Sequence, residues 1–98
     1  MTTTPSPILG RVLLQTPHRQ HTVEITFSRR GRRMALKCNF EALEFPPFVD
    51  GLDNFFFISH VEKPRRGFMN IFCAIRPEDE LSEVLATVMD IFEENVTD

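Results

Sequence analysis

The sequence predicts an α+β fold: a mostly antiparallel sheet of about five strands, covered by one C-terminal amphipathic helix. Two pairs of apolar segments are each joined by a short basic turn containing glycine, a pattern typical of β-hairpins. A further apolar segment precedes them and adds an N-terminal strand. Residues 77–96 instead repeat apolar side chains three and four positions apart, as on one face of a helix.

The N-terminal region predicts a tail and then the first strand. Residues 1–7 read MTTTPSP, which is polar and contains two prolines, so we expect a disordered tail followed by a single domain over residues 8–98. The stretch ILGRVLLQT predicts a short strand broken near Gly10, and PHRQ after it predicts a turn.

The first hairpin has the clearest β pattern of the chain. On both sides of the segment RRGRR, large apolar residues recur at every second position, and they are Val23, Ile25, Phe27, Met34, Leu36, Cys38 and Phe40. Two alternating runs separated by a short segment that contains Gly31 predict a hairpin with its turn between them.

The segment between the hairpins contains adjacent prolines. Because Pro46 and Pro47 disfavour both a regular helix and a central strand, we expect a helical turn at residues 41–44 and then an extended connector. Beyond it, NFFFISHV and GFMNIFCAI are apolar at nearly every position, which is typical of strands covered on both faces. Pro64 and Gly67 predict the turn between these two strands.

The last predicted element is a helix with Pro77 at its first position, followed by three acidic residues that suit the positive end of the helix dipole. Its apolar face consists of Leu81, Val84, Leu85, Val88 and Phe92, widened by Met89 and Ile91. A stripe of this width on a terminal helix also favours a homodimer, formed through the helix or through an exposed strand.

Composition indicates the class of protein and the compartment to expect. The chain has 42% hydrophobic residues and ten phenylalanines, which indicates a folded protein, and its apolar runs are far too short to span a membrane. No basic segment followed by an apolar one opens the chain, so we expect a cytoplasmic location. Cys38 and Cys73 lie outside any CxxC motif, and we expect buried free thiols rather than a disulfide.

Catalytic signatures are missing from the sequence. His18 and His21 are spaced closely enough to share a metal ion, but no third ligand type clusters near them. His60 lies in an apolar strand, where a histidine is more often a core or edge residue with its polar atoms satisfied than a catalytic base. There is no nucleophile elbow and no glycine-rich phosphate loop. We therefore predict a protein that is not an enzyme and that uses no metal or cofactor.

The charge is polarised, although the net charge is only −3. Seven of the eleven basic residues lie at the two predicted turns, namely Arg29, Arg30, Arg32, Arg33, Lys63, Arg65 and Arg66. Eight of the fourteen acidic residues lie in residues 78–98, where there is no Lys or Arg. Because consecutive strands most often pair antiparallel, we expect both turns at one end, whereas a crossover would place them at opposite ends.

A shared basic end predicts a small regulatory or adaptor protein that binds an acidic surface of a protein partner through bidentate arginine contacts. The alternative is a nucleic-acid-binding accessory protein that uses the same arginines on phosphates. The sequence pI of 5.6 and the acidic helix disfavour this alternative. A third interpretation is that the charged turns only keep the hairpins soluble and unpaired.

One short motif bears on the nucleic-acid alternative. Residues 66–73, RGFMNIFC, partly resemble the octamer of the RNA-recognition motif. Arg66, Gly67, Phe68 and Ile71 fit that pattern, and the family would read RNA by stacking bases on the aromatic residues of this strand. Met69, Asn70 and Cys73 depart from the octamer, and a hairpin stands where the family has a strand and a helix.

Overall fold

The computed structural model describes residues 8–28 and 32–98. The predicted tail over residues 1–7, together with Arg29, Arg30 and Gly31, lies outside these ranges. The elements are β1 (Ile8–Gln15), β2 (Thr22–Ser28), β3 (Arg33–Cys38), α1 (Pro46–Phe55), β4 (Phe57–Glu62), β5 (Met69–Ala74) and α2 (Leu81–Asn95). The predicted α+β fold with a C-terminal helix is confirmed, and a second helix, α1, adds to it.

All five strands form one antiparallel sheet in the order β1-β2-β3-β5-β4. The first predicted hairpin is confirmed, since β2 and β3 pair from Val23–Cys38 to Phe27–Met34 without a shift in register. The predicted break in the N-terminal strand is also present, as a register shift between Ile8 and Gly10 where β1 pairs with β2.

The adjacent prolines begin a helix instead of preventing one. Pro46 and Pro47 occupy the first positions of α1, where a missing N–H costs no intrahelical hydrogen bond. The expected extended connector is therefore wrong. The helical turn predicted just before it is present, because the Glu44 N–H donates to the Glu41 carbonyl at 3.0 Å.

The connection through α1 is a crossover. The strand next to β3 is β5, not β4, and both β3–β5 and β4–β5 are antiparallel. It follows that β3 and β4 run in the same direction, and the expected antiparallel return of the chain is wrong. Parallel strands need a long connection of this kind, and α1 supplies it.

The core lies on one face of the sheet, beneath both helices. Alternate residues of β2, β3 and β5 are buried there, namely Val23, Ile25, Phe27, Met34, Leu36, Cys38, Met69, Ile71 and Cys73. From the helices, the buried residues are Phe48, Leu52, Val84, Val88, Ile91 and Phe92. Most of the predicted stripe of α2 is thus used within the chain, and Met89 at its margin is 37% exposed.

The second pair of apolar segments is not covered on both faces, as was expected. In β5, residues Met69, Ile71 and Cys73 are buried and alternate with more exposed neighbours, whereas β4 is an edge strand that is largely exposed. The prediction failed because the apolar run spans two elements, since Phe55 ends α1 and Phe57 begins β4.

The C-terminal helix begins at Leu81, four residues later than predicted, so Pro77 precedes it. Residues 76–79 form a turn in which the Asp79 N–H donates to the Arg76 carbonyl at 3.0 Å.

Both cysteines are free and buried, as predicted. Cys73 lies opposite Met34 in the register, and Cys38 is four residues beyond Met34, about 13 Å along the strand and too far for a disulfide.

Candidate functional site

The two groups of basic residues lie at opposite ends of the sheet, so the expectation of one shared basic end is wrong. Arg33 pairs with Ala74 at one end, and Cys38 pairs with Met69 at the other, where the turn between β4 and β5 begins. These pairs are five residues apart along β3, or about 17 Å. The cause is the crossover, which sequence patterns do not reveal. Arg29 and Arg30 lie outside the described residues.

Two of the three basic side chains at the turn between β4 and β5 contact other residues of the chain. Lys63 forms an ion pair with Glu41 at 3.8 Å, and the Gly67 N–H donates to the same carboxylate at 2.6 Å. The guanidinium of Arg65 lies 4.0 Å from the ring centroid of Phe68. Of the three predicted binding residues at this turn, two therefore have partners in the fold, and Arg66 is exposed.

Arg32 and Arg33 have a different environment at the other end. The Arg32 carbonyl accepts a hydrogen bond from the Ile75 N–H at 2.8 Å, and the Arg33 N–H donates to the Ser28 hydroxyl at 3.3 Å. These two hydrogen bonds fix the backbone of both arginines. Both residues are exposed. All fourteen acidic residues belong to the described ranges, and none of them forms an ion pair within 4.0 Å of either guanidinium.

The sheet face opposite the helices extends away from these arginines in cross-strand rows. At the end of the sheet that carries Arg32 and Arg33, which we call the arginine end, the row contains Arg33, Ala74 and Phe57, and Ser28 joins it through its hydrogen bond with Arg33. The next row contains Arg11, Thr26, Ala35, Phe72 and His60. The third row contains Leu13, Glu24, Lys37, Asn70 and Glu62. We call this surface the open face.

Small residues leave a concavity in the open face. Ala35 lies between Thr26 and Phe72, and Ala74 lies in the adjoining row beside Arg33. The concavity has a volume of about 490 Å³ and includes all five of these residues in its lining. We call it the alanine slot. Its volume falls within the range of ligand pockets, about 300–1,000 Å³.

An aromatic pair forms one wall of the alanine slot. The rings of His60 and Phe72 stack with centroids 4.5 Å apart and planes 14° from parallel. The position of His60 is set by β4, where a register shift between Ile58 and His60 accompanies a hydrogen bond from the Ser59 hydroxyl to the Phe72 carbonyl at 3.0 Å. His60 was expected to be a core or edge histidine, and it lies in the edge strand β4, exposed but stacked on Phe72.

A second polar cluster joins the segment after α2 to the turn between β1 and β2. The Asp98 carboxylate accepts hydrogen bonds from the Thr16 hydroxyl and from the backbone N–H groups of His18 and Gln20. Desolvation opposes ionisation of this carboxyl, but the three hydrogen bonds outweigh it and hold the pKa of Asp98 below its usual value. The carboxylate of Asp98 is therefore satisfied by groups within the chain.

His21 belongs to the same cluster. Its Nδ1 lies 3.8 Å from Asp98 and its Nε2 lies 4.0 Å from Glu44, while the ring packs edge-on against Phe45 at a centroid distance of 4.9 Å. Within residues 8–28 and 32–98, no three His, Cys, Asp or Glu side chains are grouped as a metal site.

Comparison with known proteins gives no relative: no family model, no curated protein and no solved structure matches the chain. Over the described part of the chain, neither helix is long and apolar enough to cross a membrane.

Proposed function

We propose that this protein is a small non-enzymatic adaptor or regulatory protein, and that it binds an acidic segment of a protein partner at the arginine end of the open face. The observation that carries the proposal is the environment of Arg32 and Arg33, which are exposed on a held backbone and lack an ion pair with any carboxylate of the chain. Guanidinium groups in this state favour carboxylates, which they contact bidentately.

Of the other predicted binding residues, only those next to Arg32 in the sequence belong to the proposed site. Arg29 and Arg30 adjoin Arg32 in the sequence and extend the same basic segment. Lys63, Arg65 and Arg66 lie at the opposite end, so we assign them no part in this contact. A cytoplasmic location also belongs to the proposal.

A protein partner fits the open face better than a nucleic acid does. Glu24 and Glu62 lie in the third row of the same face, where they pair with Arg11 at 3.3 Å and with His60 at 3.3 Å. The backbone of a nucleic acid that crossed the face would approach both carboxylates, which repel its phosphates and offset the attraction of Lys37 between them. A short acidic segment needs to contact only the arginine end.

Binding to defined polyanions tests the proposal. Fluorescence anisotropy would compare labelled poly-glutamate with polyuridine RNA, on the wild type and on the double variant Arg32→Ser/Arg33→Ser. The variant should bind poly-glutamate roughly tenfold more weakly, because two exposed charge-assisted contacts contribute about 0.5–1 kcal/mol each. The matched control is Lys63→Ser/Arg66→Ser, which removes the same charge at the opposite end and should bind almost as the wild type does.

Two results would refute the proposal. If both double variants weaken poly-glutamate binding equally, the arginine end is not a specific site and the binding depends only on net charge. If polyuridine binds more tightly than poly-glutamate, with an affinity that falls steeply with salt, the nucleic-acid alternative is correct instead.

A further inference from the structure

We infer that the alanine slot receives an aromatic side chain of the acidic partner segment, so that the partner is recognised by an aromatic anchor flanked by carboxylates. This inference rests on the proposed function, because the arginine end supplies the charge contact. Arginines alone bind any acidic segment, whereas the alanine slot would distinguish acidic segments that carry an aromatic residue from those that do not.

The register of the sheet shows how the slot arises. Ala35 is the only small residue in a row whose other members on β2 and β5 are Thr26 and Phe72, so the surface is lowest above it. Ala74, diagonal to Ala35 in the adjoining row, extends the low area toward the arginine end. An aromatic ring placed above Ala35 would contact the ring of Phe72 on the side away from His60, where aromatic pairs stabilise each other.

The distance between rows fits a short motif. Arg33 lies two residues before Ala35 on β3, which is about 7 Å along the strand. A carboxylate one or two residues from an aromatic anchor can therefore reach the guanidinium while the ring fills the slot. The charge contact and the aromatic contact then act in one segment, which binds more tightly than a segment that makes only the charge contact.

Docking on the face is favoured over addition of a strand at an edge. Both edge strands carry a register shift, at Ile8–Gly10 in β1 and at Ile58–His60 in β4, whereas the pairings of the central strands are regular. Such shifts are a common means by which proteins prevent pairing at sheet edges. The open face is flanked by protected edges, and the slot lies between them.

Peptide binding tests the slot. The probes are a capped, labelled acidic peptide of Glu, Ser and Gly with one central Phe, and the same peptide with Ala in place of Phe. We expect the Phe peptide to bind wild-type protein at least tenfold more tightly, since it buries an aromatic side chain. Ala35→Leu fills the slot and should abolish this preference while leaving the affinity for the Ala peptide within about twofold.

Matched variants separate this inference from the proposed function. Ala86→Leu, the same change at an exposed position of α2, should preserve the preference for Phe. Arg32→Ser/Arg33→Ser should weaken both peptides and also preserve it. If the two peptides bind wild-type protein equally, the inference that the slot receives an aromatic side chain is wrong, but the proposed arginine site is unaffected. If the arginine variant binds both peptides as tightly as the wild type does, the proposed function is wrong. Circular dichroism confirms that each variant is folded.

Discussion

Gly51 of α1 lies against Ile91 of α2, and replacing it with alanine tests how tightly the two helices are packed. A Cβ atom at Gly51 would lie 2.8 Å from Cγ2 and 3.6 Å from Cγ1 of Ile91 on α2. Ile91 is β-branched and buried, so the methyl group cannot rotate away freely. Gly51→Ala therefore forces the helices apart or strains the Ile91 rotamer.

Two opposing effects set the magnitude. Within a helix, alanine is favoured over glycine by about 1 kcal/mol. Overpacking of a core contact costs about 1–3 kcal/mol. The packing cost exceeds the gain in helix propensity, so Gly51→Ala should lower the free energy of unfolding by up to about 2 kcal/mol. At about 1 kcal/mol, the midpoint of thermal unfolding falls by roughly 4–8 °C.

A double-mutant cycle separates the two effects. Ile91→Ala removes both Cγ atoms that lie near the added Cβ, at its own cost of about 2–5 kcal/mol. In that background Gly51→Ala should become stabilising by about 1 kcal/mol, so the sign of its effect reverses. Because the chain contains no Trp or Tyr, urea unfolding followed by far-UV circular dichroism is the suitable assay.

The matched control is Gly10→Ala, since nothing lies within 4 Å of a Cβ atom at that position. We expect this change to be neutral or slightly stabilising, because alanine has fewer unfolded conformations than glycine. Stabilisation by Gly51→Ala in the wild-type background would refute the close packing of α1 on α2.

Two further predictions concern titratable groups. Asp98→Asn should reduce stability at neutral pH and flatten the acid limb of the stability profile measured by circular dichroism. The reason is that the pKa of Asp98 is lowered in the folded state, so its stabilisation is present above the unfolded value and disappears as the pH falls below about 4. Burial raises the pKa of Cys38 to about 12 and that of Cys73 to about 11, so a disulfide reagent at about pH 8 should label both thiols only in denaturant. Fast labelling in native buffer would contradict this burial.

Local patterns predicted the elements whose environment is uniform along their length. The strands β2 and β3 alternate strictly because one face is buried under helices and the other is not, and α2 has a continuous apolar stripe for the same reason. The helix α1 was missed because proline is usually read as a helix breaker. Its first turn is the exception, since N–H groups there have no intrahelical acceptor.

Strand order decides where the two basic turns lie, and local sequence patterns do not contain it. Segments β4 and β5 are both apolar, so either could lie next to β3, and the ends at which the two basic turns lie depend on that choice. The crossover through α1 places β5 next to β3 and separates Arg33 from Lys63 by the length of the sheet. The charge gathered at each end of the sheet therefore depends on strand order as well as on composition.

The alanine slot shows why the site itself was not visible in the sequence. Ala35 and Ala74 are 39 positions apart, and nothing in their strands distinguishes either of them. They become one feature only because Ala35 pairs with Phe72 and Arg33 pairs with Ala74 on the same two strands. Substituting either alanine by a large residue leaves the alternation that directs folding unchanged, because both face away from the core. What these small residues determine is the shape of the open face, which the fold does not require but which the proposed binding of an acidic segment does.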